Sequence, residues 1–207
     1  MDSVAFAFCD AVASALRAFH PLDDANSAEW GPWKSAFADH QTNRLNLSMY
    51  VCFNGGKWSY YCVKTRTGHS SRVTLEEVQE SRRKFIRVYF IQFSNGKSES
   101  ELSLDEIRSI LKFLRPCVVP SAQLALSRTT LPKETLVELL SPFSATPFRS
   151  IKLFNYEEAF EDLLRKQIAL DSLKEFEVLD EMQPPAIELR AAFKRIQRER
   201  SLNRVRI

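Results

Sequence analysis

The stretch from Phe148 to Met182 decides the fold, and it consists of FRSIKLF (148–154), NYEEAFEDLLRKQIALD (155–171) and SLKEFEVLDEM (172–182). Its first and last pieces carry apolar residues at i, i+3 and i+5, namely Phe148, Ile151 and Leu153, then Leu173, Phe176 and Val178. The middle piece has helical periodicity, and its apolar face consists of Ala159, Phe160, Leu163, Leu164 and Ile168. The stretch therefore predicts a strand, a helix and a second strand.

The strand pattern recurs along the chain at a spacing typical of repeat proteins. Leu126 precedes Leu153 by 27 residues, and Leu153 precedes Val178 by 25. The pattern resembles the L-x-x-L-x-L of leucine-rich repeats, whose units bury their apolar faces only against neighbouring copies. Right-handed crossovers would give a parallel sheet with the helices outside. We predict an α/β (or α+β) fold with irregular leucine-rich-repeat-like units. A compact α/β domain in which the repeat is coincidental predicts the same elements.

Residues 45–66 favour a β-hairpin ahead of the repeats. LNLSMYVCF and KWSYYCVKT are rich in aromatic and β-branched residues, and they flank Asn54-Gly55-Gly56, where Asn-Gly suits a turn with positive φ. A polar segment (67–73) follows, and a strand is predicted over 85–93. Helices are predicted at the capping boxes Thr74–Glu77 and Ser103–Glu106, over 132–140 and over about 185–200. The strand of Val178 is predicted to be the last, with the helix around Phe193 as its only cover.

The first forty residues favour two short helices, over about 4–20 and 32–40, which form a predicted unit at 1–43 ahead of a hairpin and repeat domain at 44–207. These helices carry more large apolar side chains than they can bury internally. Those side chains are Phe6, Phe8, Val12, Leu16, Trp30, Trp33 and Phe37. Such a surplus either packs on the next domain or forms an interface with a partner.

The composition is that of an ordinary globular protein, with 44% hydrophobic and 27% charged residues among 207. The net charge of +3 gives only a mild bias toward nucleic acid. The sequence contains no run of 18 apolar residues, so no membrane span is predicted. The N-terminus lacks the basic start of a signal peptide, and Asp2 and Asp10 interrupt its apolar run. We therefore expect an intracellular protein, cytoplasmic or nuclear. We also expect free thiols at Cys9, Cys52, Cys62 and Cys117.

No catalytic, phosphate-binding or metal-binding motif occurs, so we expect no enzyme, no catalytic residues, no cofactor and no metal. The one candidate pair is His69 with Cys62 or Cys52, for which the sequence shows no orienting group. The alternative is that both cysteines are small strand hydrophobes. The carboxylates Glu157, Glu158, Glu161 and Asp162 are predicted to lie on a solvated helix face.

Two segments together resemble the large nematode set of F-box-like proteins. VAFAFCDAVASALRAF (4–19) lies where the F-box has its first helices, and Trp33 in WGPWKSAFADH (30–40) resembles the tryptophan near the end of that motif. The later repeats, particularly FEDLLRKQIALDSLKEFEVLD (160–180), and the hairpin with GGKWSYYC (55–62) resemble the F-box-associated repeats of the set. Val4-Ala5 replaces the Leu-Pro start, which leaves open a degenerate relative whose N-terminal unit is a structural cap.

The resemblance implies a substrate receptor of a cullin-RING ubiquitin ligase. Its F-box would bind a Skp-type adaptor through the seven apolar residues named above, and its repeats would hold an unknown protein target. The alternative is a nucleic-acid-binding module that uses the basic C-terminal helix. Its candidate contacts are Arg190, Lys194, Arg195 and Arg198. That helix offers only Phe193 for stacking, so we expect protein partners rather than nucleic acid, and no membrane.

Overall fold

The computed structural model describes residues 6–15, 31–66, 69–96, 101–127, 131–155 and 158–180, together with Leu189, Ala191, Ala192, Lys194 and Arg195. The helices are α1 (Phe6–Ala15), α2 (Gly31–Asn43), α3 (Leu75–Glu80), α4 (Leu104–Leu114), α5 (Lys133–Leu140) and α6 (Glu161–Ala169). The strands are β1 (Leu45–Asn54), β2 (Lys57–Arg66), β3 (His69–Val73), β4 (Ile86–Ser94), β5 (Val118–Leu126), β6 (Ser150–Asn155) and β7 (Glu175–Asp180).

All seven strands form one sheet in the order β3-β2-β1-β4-β5-β6-β7. β1, β4, β5, β6 and β7 run parallel to one another, whereas β2 pairs with β1, and β3 with β2, in antiparallel fashion. Each parallel strand thus lies beside the next parallel strand of the sequence, and a helix lies in the chain between the two. The predicted α/β class with a mainly parallel sheet is confirmed.

The strand register confirms the spacing argument. Leu126 pairs with Leu153, and Leu153 pairs with Val178. The same row continues through Phe93 to Val51 on β1. The intervals along this row are 42, 33, 27 and 25 residues, so only the last two fall within the range of leucine-rich repeats. The leucine-rich-repeat resemblance therefore remains a prediction.

One face of the sheet is the helix-covered face, where the main core lies. Along each parallel strand, residues that face the core alternate with residues that face the other way, as expected when one face is buried. Buried apolar residues of α3 to α6 pack in the same cluster. The largest side chains that are fully buried include Phe93, Phe143 and Phe148.

The hairpin is confirmed, but its turn differs in detail from the predicted Asn-Gly pair. Asn54 pairs with Lys57, so the two central positions are Gly55 and Gly56. Their φ values are +58° and +83°, which a glycine adopts without steric cost. Asn54 is therefore the last strand residue rather than a turn residue.

Two predictions need correction. Residues 69–73 form β3, which the sequence analysis did not predict, because HSSRV is polar and mostly exposed; pairing with β2 creates this strand. Ala159 is exposed although it was assigned to the apolar helix face. It belongs to a 3₁₀ turn, Glu158–Phe160, that precedes α6. Because this turn has three residues per turn instead of 3.6, Ala159 does not lie on the apolar face of α6. Gln167 is buried on that helix instead.

Both predicted capping boxes are present. The Thr74 hydroxyl accepts from the backbone N–H of Glu77, while the Glu77 side chain accepts from the backbone N–H of Thr74. Ser103 and Glu106 make the same reciprocal pair at the start of α4. The sequence signature therefore located both helix starts to the residue.

The end of the chain is described only in part. β7 is an edge strand among the described strands. Leu189, Ala191, Ala192, Lys194 and Arg195 are helical, as predicted, and Leu189 is buried in the main core. Phe193 and residues 181–188 lie outside the described residues, so the predictions that β7 is the last strand and that the helix around Phe193 covers it are untested. No helix among the described residues is long and apolar enough to cross a membrane.

Candidate partner-binding surfaces

α1 and α2 form a two-helix unit, here called the α1–α2 unit, with a small core of its own. Cys9, Ala13 and Ala36 are fully buried between the two helices, separately from the main core. Such small side chains let the helices approach closely but bury little apolar area. The larger apolar side chains of the unit are therefore left at its surface.

Three aromatic rings of the α1–α2 unit form a continuous stripe, here called the aromatic stripe. The Phe8 ring meets Trp33 edge-on, with centroids 5.8 Å apart and an interplanar angle of 84°. Trp33 stacks on Phe37 at 5.8 Å. Phe8 is 56% exposed, and Phe6, on the same helix, is 45% exposed. Exposed aromatic groups that contact one another are typical of protein interfaces.

The structure brings together three of the seven predicted adaptor-binding residues, which are those of the aromatic stripe. Phe6 is exposed on α1, two residues before Phe8, and Val12 is half-buried. Leu16 and Trp30 lie outside the described residues. Internal packing and an interface were both open for this surplus: Trp33 and Phe37 pack partly against the small core of the unit, whereas Phe6 and Phe8 are exposed.

A polar network joins the α1–α2 unit to the start of β4. His40 is fully buried, and its Nε2 lies 3.0 Å from Oδ1 of Asp10. Lys84 Nζ lies 3.1 Å from the same oxygen and 3.4 Å from Oδ2 of Asp39. Arg44 donates from Nη2 to the carbonyl oxygen of Ala13 at 2.7 Å. These contacts fix the unit against the amino end of the sheet, and periodicity gave no signal for them.

The charge states of this network follow from its burial. Burial lowers the pKa of His40, and the guanidiniums of Arg44 and Arg87 add to that effect, although the Asp10 carboxylate opposes it. For Asp10, burial acts to raise the pKa, but hydrogen bonds from Lys84 and His40 leave the pKa of this carboxyl below its ordinary value. At neutral pH a neutral imidazole therefore donates to an ionised carboxylate.

Acidification is expected to destabilise the docking of the α1–α2 unit. Below the ordinary pKa of 6.5 the unfolded chain protonates this histidine, while folded His40 takes up the proton only at lower pH. The contribution of His40 to the free energy of unfolding is therefore at its full value above pH 6.5, and it is lost as the pH falls toward the pKa of His40 in the folded protein. We expect the urea midpoint to drop between about pH 7.5 and about pH 5.5.

Two variants check this pH dependence. H40Q keeps an N–H donor for Asp10 but cannot titrate, so its urea midpoint should change less over the same interval than that of the wild type. H69Q replaces an exposed histidine on β3 and should follow the wild type. Parallel behaviour of the wild type and H40Q would contradict the assignment of the effect to His40.

The face of the sheet opposite the helices, here called the second face, carries an aromatic cluster. The rings of Tyr50 and Tyr61 stack at 4.5 Å, and Phe90 lies 5.6 Å from Tyr50. The guanidinium of Arg72 lies 5.0 Å above the Tyr61 ring. Burial raises the pKa of Tyr61, so its hydroxyl stays protonated at neutral pH. Further along this face Lys152 pairs with Glu177 at 2.9 Å.

The candidate pair of His69 with Cys62 or Cys52 is not formed. Cys62 is fully buried in the main core opposite Val73, and burial raises its pKa to about 12, so its thiolate is not available at neutral pH. His69 is exposed at the far end of β3, opposite Arg66. Cys52 is buried beside Ser94, with Sγ and Oγ 3.9 Å apart. The cysteines thus behave as small strand hydrophobes.

The four predicted free cysteines are all reduced and buried. No group of three or more histidine, cysteine or carboxylate residues that could hold a metal occurs in the described ranges. Asp162 is exposed, and Glu161 is half-buried at 3.3 Å from Arg165. Glu157 and the side chain of Glu158 lie outside the described residues.

The predicted nucleic-acid contacts are only partly described. Lys194 and Arg195 are exposed on the final helical segment. Arg190 and Arg198 lie outside the described residues. Nucleic-acid binding by this helix remains a prediction.

The chain matches no protein-family model, no curated protein and no solved structure. The F-box resemblance therefore rests on the residues quoted from the sequence and is carried forward as a proposal.

Proposed function

We propose that this chain is a non-enzymatic interaction protein, an F-box-like substrate receptor of a cullin-RING ubiquitin ligase. The α1–α2 unit binds a Skp-type adaptor, and the sheet presents a protein target. The observation that supports this proposal is the exposure of Phe8, whose ring contacts Trp33 in the aromatic stripe, together with the exposure of Phe6 on the same helix. Contiguous exposed aromatic side chains are costly in water and are the residue type that supplies most binding energy at interfaces.

The second face supports the receptor role from the other side of the molecule. Tyr50, Tyr61 and Phe90 are only partly covered, and Arg72 lies over one of their rings. Tyrosine and arginine are enriched at interfaces because they offer apolar area together with a polar end. The target is bound there, while the aromatic stripe binds the adaptor, so that two partners are held at once.

Removing both exposed phenylalanines should abolish most adaptor binding. F6A/F8A is expected to weaken binding to a purified Skp-type adaptor by about 30-fold or more, since two interface anchors contribute at least about 1 kcal/mol each. Both side chains are exposed, so the variant should fold normally. Isothermal titration calorimetry with the purified adaptor gives the dissociation constant.

The matched control is V137A/L170A, which removes two similarly exposed apolar side chains from α5 and from the end of α6. It should bind the adaptor as tightly as the wild type. Equal binding by F6A/F8A would show that the exposed phenylalanines of α1 are not the contact. A wild type that does not bind the adaptor would refute the ubiquitin-ligase role and favour the degenerate relative, in which the α1–α2 unit caps the sheet.

A further inference from the structure

The amino end of the sheet, where its parallel strands begin, carries a row of positive charge. A lysine or arginine lies within three residues before each parallel strand, and these residues are Arg44, Lys84, Arg115, Arg149 and Lys174. Backbone hydrogen bonds connect the starts of the last two parallel strands: Lys174 N–H donates to the carbonyl oxygen of Arg149 at 2.8 Å, and Arg149 N–H donates to the carbonyl oxygen of Ala122 on β5 at 2.9 Å.

The opposite end of the sheet has the opposite charge. The return helices α3 to α6 begin there, and their first turns carry mostly carboxylates, with Lys133 as the exception. These carboxylates are Glu76, Glu77, Asp105, Glu106, Glu134, Glu161 and Asp162. The protein is therefore electrically polarised along its strands, although its net charge is only +3.

Four exposed cations on the segments that precede β4 and β5 are here called the basic cluster: Arg82, Arg83, Lys112 and Arg115. The guanidinium of Arg83 lies 4.9 Å from the centroid of the Phe113 ring. Pairing of Val88 with Val118 brings the two segments together. All four cations are exposed, and none forms an ion pair with another residue in the described ranges.

The negative ends of helix dipoles offset only part of the positive charge of this cluster. α3 and α4 both end here, and each helix end contributes roughly half a negative charge. Glu80, the exposed last residue of α3, contributes one more. About two negative charges therefore face four positive ones. The excess costs electrostatic self-repulsion in the isolated protein, and an anionic partner would relieve that cost.

We propose that the basic cluster binds an acidic segment of a partner protein. Aspartate or glutamate side chains pair with the four cations, and arginine can hold a carboxylate through two parallel hydrogen bonds. An apolar side chain of the same segment packs on the accessible part of Phe113, which is half-buried. This inference does not rest on the proposed adaptor binding, because the two surfaces share no residue.

The surroundings of Phe113 favour a protein segment over a nucleic acid. Non-specific binding of single strands relies on successive rings on which bases stack. Here one ring is available, and the guanidinium of Arg83 already covers one of its faces. Carboxylates need no such platform, and four exposed cations on two segments that meet at Phe113 suit an acidic segment with a single apolar residue.

A labelled peptide of three glutamates, one leucine and three glutamates provides the test by fluorescence anisotropy. We expect binding at about 50 mM salt that weakens several-fold at about 300 mM, because exposed ion pairs are screened. R82E/R115E should weaken binding by about tenfold or more, through lost pairs and added repulsion. K133E/K166E changes the net charge equally, at exposed positions on α5 and α6, and should stay within about twofold of the wild type.

Three results would overturn the proposal. They are the absence of peptide binding at low salt, equal losses in the two double variants, and tighter binding of a single-stranded oligonucleotide that shows the same sensitivity to R82E/R115E. The second would mean that only overall charge matters, and the third would assign the cluster to nucleic acid. Far-UV circular dichroism and urea midpoints of both variants must match those of the wild type, and all four positions are exposed, so this is expected.

Discussion

Phe93→Ala is expected to lower the free energy of unfolding by about 3–5 kcal/mol, the loss typical of a fully buried phenylalanine. Phe93 is 0% exposed at the centre of the sheet, where it pairs with Val51 on β1 and with Leu126 on β5. The alanine leaves a cavity that three strands and the helices above them line, and close-packed strands cannot collapse into it. Urea denaturation followed by far-UV circular dichroism gives the difference.

Phe90→Ala is the matched control for this experiment. Phe90 lies on the same strand but on the second face, where it is half-buried beside Tyr50. Its removal should cost only about 1 kcal/mol, since less apolar area returns to water. If the two variants lost equal stability, the assignment of the core to one face of the sheet would be wrong. Phe93→Leu, with a smaller cavity, keeps the comparison measurable should the alanine variant fail to fold.

Gln167→Met should destabilise the protein by about 3 kcal/mol although it keeps the length and volume of the side chain. The Oε1 of Gln167 accepts from the backbone N–H of Phe148 at 3.0 Å. Its Nε2 donates to the carbonyl oxygens of Thr146 at 2.9 Å and of Ser144 at 3.3 Å. Methionine leaves these backbone groups without partners, and each buried unsatisfied group costs about 1–3 kcal/mol.

The corresponding change at Gln123 controls for the substitution itself. Gln123 is exposed on β5, so Gln123→Met should alter the urea midpoint little. A loss below about 1 kcal/mol for Gln167→Met would show that the segment before β6 does not depend on this side chain. Gln167→Glu offers a further comparison, because it keeps the acceptor but places a charge in the core.

The repeat register could be predicted from the sequence because it depends on side chains that must share one buried face. Leu126, Leu153 and Val178 were aligned by spacing alone, and they pair in the sheet. Capping boxes and the Gly-rich turn were equally visible, since each is a local signal within four residues. β3 was not visible, because its exposed polar residues form a strand only through pairing with β2.

The candidate surfaces were predictable to different degrees. The surplus of large apolar side chains in residues 1–43 predicts Phe8, Trp33 and Phe37 as candidate contact residues from the sequence alone. The network of Asp10, His40 and Lys84 gave no sequence signal, because it joins residues from three separate segments. The basic cluster was equally hidden, since Arg82 and Arg115 belong to different units that only the sheet brings together.

The order of the parallel strands has a consequence for the synthesis of the protein. When β5, β6 or β7 leaves the ribosome, the strand on which it pairs has already been made, because neighbours in the sheet are neighbours in the sequence. The growing chain can therefore extend an existing template one strand–helix unit at a time, from β1 and β4 onward, without waiting for a distant segment. Each added unit covers the edge that the preceding one leaves open, which limits the time during which that edge can recruit another chain.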